Sequence, residues 1–488
     1  MSTVLTDLEP KSLWTQFHGL TTVPRPSKKE EKILDYLKKL LGDLGYSYEQ
    51  DDTGNIVVRK DATPGYEHAP TVLIQGHVDM VCEKNKDTEF DFDNDPIKAY
   101  VDGEWVTADG TTLGADNGIG VAPGLAVLES KDMVHPPMEF LFTVDEETGL
   151  TGAKGLKPGF LKADMMLNLD SEEDGALYVG CAGGMDTAGV MQLTMGDAAA
   201  DSVAIEINMG GLKGGHSGLD VATGRGNAIK FLTRVLNDLR AKYTVQFSSI
   251  LGGSKRNAIP REAEIVVYVP QADADAVIAS MAGYQELFLG EIKTVEPDLA
   301  LTAKKVEGNG KVADDAQFTA LLEALQALPT GVIKMSADID GLVETSTMLA
   351  TVTMDGDKLT IGTSQRSSVE SEKADIVATV GAVLRLAGFE VVQGDGYPGW
   401  KPNMESSALK FVKQSFSELF GGEPEIKAIH AGLECGLIGE VFPNMDMISF
   451  GPTIEGAHSP DERINIPATS RFWDLVVKTL ENVAKSGK

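Results

Sequence analysis

Residues 71–81, TVLIQGHVDMV, constrain this chain more than any other stretch: four β-forming residues run into a glycine and then set His77 and Asp79 two positions apart. On an extended strand that spacing points both side chains to one face. A histidine with an aspartate at i+2 suits a metal ligand backed by a carboxylate, which accepts the ring's other N–H and so selects the nitrogen that faces the metal. Taken alone, the pair is equally an ordinary polar strand end. Repetition weighs against that reading, because further acidic or histidine clusters follow, each where a strand-like run stops.

The segment LGADNGIGVAPGLAVLES places Asp116 and Asn117 between glycines ahead of a helix-like stretch. Gly114, Gly118 and Gly120 let backbone close round a ligand, although Asp-Asn-Gly is also a common turn. The apolar run in MEFLFTVDEETG ends in Asp145, Glu146 and Glu147. Adjacent carboxylates repel unless a cation or a proton separates them. A fourth run, ADMMLNLDSEEDG, ends in Asp170, and GPTIEGAHSPDERINI carries His458. Of seven histidines, His18, His68 and His135 have no acidic cluster and read as structural, while His77, His216, His430 and His458 stand in glycine-bearing motifs. His77, Asp116, Glu147, Asp170 and His458 suffice for two metals about 3.5–4 Å apart if one carboxylate bridges them. Such a mix suits zinc, manganese or cobalt. Glu146 is left without a ligand role.

Composition excludes several classes. The 488 residues include only Cys82, Cys181 and Cys435, with no CxxC pair, so neither a disulfide framework nor a thiolate zinc site is expected. Acidic residues outnumber basic ones 73 to 43, a net charge of −30 that repels nucleic acid and anionic membranes. No apolar run approaches the roughly 20 residues that span a bilayer. The opening MSTVLTDLEPKSLW lacks the apolar core of a signal peptide, so a cytoplasmic location is expected.

Residues 9–24 and 28–45 show helical spacing, the second with Ser27 as N-cap and Glu30 completing a capping box. Residues 82–103 read as an exposed excursion between strands, and the glycine-rich 181–186 as a boundary. From 187 to 397 strand and helix signals suggest two βαββαβ halves, after which 398–488 resumes the earlier character. The expected organisation is α/β, with a metal-binding catalytic domain at 1–186 and 398–488 and an inserted domain at 187–397.

The motifs GHVDMV, GADNGIG, VDEETG, NLDSEE and GAHSPDE, in that order, resemble those of the M20 family of co-catalytic metallopeptidases. SKRNAIPREAE, GGHSGLD, HAGLECG and the long insert are similar to the bacterial aminoacyl-histidine (Xaa-His, carnosinase-like) dipeptidases of that family. The resemblance implies a two-domain architecture: a zinc-peptidase-type mixed-sheet catalytic domain and an inserted lid of two ferredoxin-like halves. It implies two divalent ions per chain, zinc foremost, with Mn2+ or Co2+ as alternatives. Asp116 would bridge them, His77 and Asp170 completing one site and Glu147 and His458 the other. Asp79 would orient His77. Glu146 would be the general base, taking a proton from the metal-bridging water and passing it to the leaving amine. His216 would stabilise the oxyanion, while Asn257, Arg366 and the Gly432 backbone would hold the substrate's C-terminal carboxylate. From the residues alone, Arg366 is equally a surface charge. The implied substrate is a small unblocked dipeptide, β-Ala-His among them, with no nucleic-acid or membrane partner and with a homodimer left open. A tripeptidase, an N-acyl amino-acid deacylase and a non-catalytic peptide-binding protein remain as alternatives, the last disfavoured by the intact Glu146 and ligand set.

Overall fold

The computed structural model describes residues 5–394 and 396–487. The first four residues of the stretch read as lacking a leader, and Asp395 of the inserted region, lie outside them. The chain divides into two compact units: one takes in the chain up to Cys181, Trp400–Ala428 and Leu433 onward, the other Ala182–Gly399 and Ile429–Gly432.

The first unit is built on an eight-stranded mixed sheet. Its order is Tyr48–Gln50, Ile56–Lys60, Met138–Thr143, Val72–His77, Met165–Asn168, Asp446–Ser449, Ala176–Cys181, Glu425–Ile429. Met138–Thr143, Val72–His77, Met165–Asn168 and Asp446–Ser449 are neighbours and run parallel. The first three of these are buried along their whole length, as expected of parallel strands covered on both faces. In open α/β sheets ligands gather beyond the carboxyl ends of such strands. The four parallel strands end just before Glu146, at His77, just before Asp170, and ahead of the loop that carries His458.

Helix Glu31–Leu44 buries Ile33, Leu37 and Leu41, one stripe at helical spacing, and stops at Gly45, whose φ of 84° is the left-handed conformation that glycine adopts without strain. The expected capping box does not form. Glu30 occupies the N-cap without a side-chain cap bond, and the Ser27 hydroxyl donates instead to Asp79 Oδ2 at 2.7 Å. The excursion at 82–103 contains a strand, Ala99–Asp102, which turns at Gly103 into Trp105–Ala108. These two join Ile454–Glu455 and Arg463–Asn465 in a four-stranded sheet from which the His458 loop projects. Three- and four-residue strands are too short for an alternation pattern to register.

The second unit holds a nine-stranded antiparallel sheet. Ser202–Gly210, helix Ala228–Lys242, Gln246–Gly252, Ala263–Pro270, helix Ala274–Ile292 and Ala300–Lys305 form one βαββαβ half, with spatial order fourth, first, third, second strand. Gly183–Gln192, helix Asp315–Ala327, Val343–Asp355, Lys358–Ser367, helix Glu370–Leu386 and Glu390–Gln393 form the other, with the same order. The halves are nested: the first strand of the second half precedes the whole first half. That strand begins inside the stretch read as a glycine-rich boundary. Its Gly183 and Gly184 are required by close approach, since a Cβ there would come within 2.4 Å of the Gly399 amide nitrogen and 2.6 Å of the Tyr397 ring. Helix Ala228–Lys242 is capped by Asn227, which accepts from the Lys230 amide, and it buries Ile229, Leu232, Val235, Leu236 and Leu239 at i, i+3, i+6, i+7 and i+10. Each such side chain contributes roughly 1.5–3 kcal/mol on burial. Phe247 of the first half stacks on Phe318 of the second at 5.1 Å, so one core serves both.

Among the described residues, no helix is long and apolar enough to cross a membrane.

Candidate active site

His77 closes its strand fully buried, with Nε2 3.1 Å from Asp116 Oδ1 and 3.4 Å from Asp170 Oδ1. Its other ring nitrogen lies 3.4 Å from Asp79 Oδ1. Asp79 has left the strand by two residues yet still reaches the ring, the pairing read from the i+2 spacing. It also accepts from the Ser27 hydroxyl and from the Glu146 and Glu147 amides at 3.1 and 3.3 Å. Burial pushes its carboxyl up, but His77 and these donors outweigh burial and bring it to about 2. Asp79 therefore ties the His77 loop to the backbone of the next cluster, a second role that spacing did not reveal.

Asp116 follows Gly114, whose φ is 72°, at the mouth of helix Ala115–Glu129. Its two oxygens divide: Oδ1 faces His77 Nε2, and Oδ2 lies 3.0 Å from His458 Nε2. His458 Nε2 is also 3.0 Å from Glu147 Oε2. Hydrogen bonds to Asp116 and Glu147 raise the His458 imidazole to about 11. Two groups of side chains whose donor atoms lie close enough to hold a metal ion thus share Asp116: His77, Asp116 and Asp170, and Asp116, Glu147 and His458.

The acidic run at 145–147 separates by backbone conformation. Asp145 takes a φ of 49°, and its carboxylate accepts the Thr148 and Thr151 hydroxyls, while Glu146 and Glu147 join the site. Burial raises the Glu146 carboxyl well above the ordinary carboxylate range, with His77 opposing and Asp170, Glu434 and Glu147 adding to the rise. Glu147 Oε1 is buried without a hydrogen-bond partner. A buried carboxylate oxygen left unpaired is costly unless a cation meets it. That orphan and the shared Asp116 fit the mixed nitrogen and oxygen donor set of a pair of divalent cations.

Two buried groups that sequence reasoning missed hold this loop cluster. Glu462, four residues beyond His458, accepts the amides of Leu113, Gly114 and Asp116 at 2.7, 2.9 and 3.1 Å. Arg25 donates to the Val78 and Asp79 carbonyls at 3.1 and 3.0 Å and to the Gly114 carbonyl. The signal for Glu462 was its place in SPDERI; Arg25 had none. Asp79→Ala is expected to weaken metal binding and activity by about 10- to 100-fold, whereas His458→Ala, which removes a candidate ligand, is expected to lower occupancy outright. Metal content by atomic emission, alongside turnover, checks both; two ions retained per chain in His458→Ala would remove it from the ligand set.

In the second unit His216 and Ala258 pair across a two-stranded ladder, and the Ser217 amide donates to the Asn257 carbonyl at 2.9 Å. The Gly218 and Leu219 amides donate to His216 Nδ1 at 3.2 and 3.0 Å. This leaves the proton on Nε2, free to donate. Burial and the nearby Arg366 charge lower the His216 imidazole to about 4, so it is neutral at ordinary pH. Arg366 is buried rather than a surface charge, 7% exposed, with Nη1 donating to the Tyr397 hydroxyl at 2.8 Å and Nε without a partner. Among the described residues no carboxylate pairs with it. Gly432 lies against the same tyrosine, where a Cβ would come within 2.8 Å of the ring. His430, 6% exposed, shares a 2.7 Å hydrogen bond with Ser346, which sits opposite Arg366 in the sheet.

The model of Peptidase family M20/M25/M40 matches residues 73–482. The chain is 40% identical over 479 residues to the cytosol non-specific dipeptidase of Escherichia coli K12, covering 98% of this chain and 99% of that protein. It superposes on the crystal structure of aminoacylhistidine dipeptidase from Vibrio alginolyticus with a TM-score of 0.90, 43% identity and 98% of each chain covered. The fold alone is shared with aminopeptidase PepT from Bacillus cereus, with a TM-score of 0.56, 18% identity, and 98% of this chain and 99% of that one covered. With a matched region that contains every residue of the shared-carboxylate cluster, the chain belongs to peptidase family M20/M25/M40.

Proposed function

We propose that this chain is a metal-dependent dipeptidase that hydrolyses unblocked dipeptides, Xaa-His substrates such as β-Ala-His among them, with two divalent ions per chain, zinc foremost and manganese or cobalt as alternatives. The observation that carries the reading is the Asp116 carboxylate, divided between two histidines, each with a further carboxylate beside it. The names of the Escherichia coli and Vibrio relatives, a non-specific dipeptidase and an aminoacylhistidine dipeptidase, support the substrate class.

Two divalent cations, when bound, polarise the scissile carbonyl and acidify water. His77 and Asp170 would hold one, Glu147 and His458 the other, and Asp116 both. Glu146 is the general base in this reading: it takes the proton of the attacking water and delivers it to the leaving amine. Its elevated proton affinity suits both the uptake and the delivery. His216, neutral and protonated on Nε2, donates to the oxyanion. Arg366, a buried guanidinium with no acidic partner among the described residues, fits the C-terminal carboxylate, which Asn257 and the Gly432 backbone would help to hold in this reading. The metal residues belong to one unit and the substrate residues to the other, and in this reading the 187–397 region is the lid domain.

Hydrolysis of β-Ala-His, Gly-His-Gly and an N-acetyl amino acid, measured side by side with and without chelator, tests the reading. The expected result is preference for the unblocked dipeptide, abolished by chelator and restored by zinc or manganese. Preference for the tripeptide or the blocked amino acid would assign the chain to a tripeptidase or a deacylase.

A further inference from the structure

Behind the ligand cluster lies a second buried layer that the chemistry above leaves unused. Gln75, Thr143 and Asn168 stand on three neighbouring parallel strands, two residues before His77, three before Glu146 and two before Asp170 respectively. Asn168 Nδ2 donates to Gln75 Oε1 at 2.5 Å. Gln75 Nε2 in turn donates to Glu434 Oε2 at 2.5 Å and to the Thr143 hydroxyl at 3.1 Å. The Thr143 hydroxyl meets the same Glu434 oxygen at 2.7 Å. All four residues are 0% exposed, and Glu434 opens helix Glu434–Val441 with no basic side chain in ion-pair distance among the described residues.

A buried carboxyl without a cationic partner is an expensive way to tie strands together. Burial, opposed by His77 and by the Thr143 hydrogen bond, lifts this one to about 7, so the neutral acid is accessible at ordinary pH. Its placement explains the cost. Beyond this layer His77 closes its strand opposite Thr143, while the two neighbouring strands run out towards Glu146 and Asp170, and a displacement of about 1 Å at reacting groups can cost on the order of 100-fold in rate. Strand backbone bonds set register but not the small twists that aim a side chain past the last pair; a carboxyl gripped by two strands, with the third attached through Gln75, restricts them.

We propose that Glu434 is a positioning residue for the reaction, its carboxyl holding through Gln75 and Thr143 the three strand ends that carry His77, Glu146 and Asp170. The inference rests on the dipeptidase reading above. The neutral isostere Glu434→Gln keeps an acceptor oxygen for Gln75 and Thr143 and should retain kcat/KM within about threefold. Glu434→Leu fills similar space but strands both donors. It should lower kcat by about 10- to 100-fold with little change in KM, and weaken zinc affinity, measured by competition with a chromogenic chelator, by a similar factor. Thr143→Val removes one grip at nearly constant volume and should shift kcat and zinc affinity in the same direction by less. Should Glu434→Leu fail to give a cooperative thermal transition, Thr143→Val and Glu434→Gln decide the matter. Wild-type kcat and zinc affinity in Thr143→Val, or equal losses in Glu434→Gln and Glu434→Leu, overturn the proposal. Absence of dipeptide hydrolysis by the wild-type chain would instead overturn the functional reading.

Discussion

Glu146→Gln is expected to lower kcat for dipeptide hydrolysis by about 10²- to 10⁴-fold, the usual worth of a positioned acid or base, while metal content stays at the wild-type level. The amide occupies the same space but cannot hold the water's proton, and Glu146 enters the hydrogen bonds of these loops through its backbone, which the substitution leaves intact. What orients the local backbone is Asp79, through the Glu146 and Glu147 amides, and the substitution leaves those bonds in place. Burial raises the Glu146 carboxyl well above the ordinary carboxylate range, opposed by His77 and reinforced by Asp170, Glu434 and Glu147, which suits the proposed base. Turnover and metal analysis on the same preparation check the prediction. Near-normal kcat with two ions bound would show that some other group takes the proton. Loss of metal would show instead that Glu146 is a ligand, an outcome its place in a group with His77 and Glu147 makes worth measuring.

The second large effect is expected at Arg366. Arg366→Ala should raise KM for dipeptides steeply, the loss of a charge-assisted pair worth roughly 1.5–3 kcal/mol. A dipeptide amide, which has no carboxylate, should lose much less. The kcat/KM of both proteins on both substrates forms a double-mutant cycle, and equal losses on acid and amide would show that Arg366 does not read the carboxylate. Tyr397→Phe is the control, because the truncation also removes the 2.8 Å bond between Arg366 and the Tyr397 hydroxyl. An effect of Tyr397→Phe as large on the amide as on the acid would identify that part of the loss as structural. Arg366→Lys should recover only part of the affinity, since a lysine cannot reproduce the fork that grips two oxygens at once.

How far the sequence reaches can be judged from particular residues. Each apolar run that stops at an acidic residue or histidine is local information, and the four parallel strands convert it directly into geometry because they all end on one side of one sheet. The spacing of His77 and Asp79 likewise survives as a 3.4 Å contact. The apolar stripes of Glu31–Leu44 and Ala228–Lys242 are periodic over enough turns to specify helices and their buried faces. Local pattern fails where two partners compete for one side chain. Ser27 and Glu30 have the spacing of a capping box, but the packed structure directs Ser27 to Asp79, and Glu30 accepts the Lys28 and Asp145 amides instead. Asp145, Glu146 and Glu147 form one acidic run in which spacing assigns no roles, and the left-handed backbone at Asp145 sets it apart from the two glutamates.

The remaining features depend on chain segments meeting across long separations. The two histidines divide Asp116 because a loop 342 residues away returns to it, and Glu462, from the same loop, binds the amides of Leu113, Gly114 and Asp116. The nesting of the βαββαβ halves places strand Gly183–Gln192 against Lys358–Ser367, a pairing that no periodicity announces. Arg366 could be told from a surface charge only once the folded chain had buried it, and Glu434 is anonymous in HAGLECG until Gln75 and Thr143, from two neighbouring strands, both meet it. The sequence by itself determined which side chains were available for chemistry and on which kind of element each stood, because hydrophobic periodicity and strand spacing act over a few residues. Tertiary structure alone decided which of them meet, because burial, desolvation and hydrogen-bond partnership belong to the packed chain and have no counterpart in any short window of sequence.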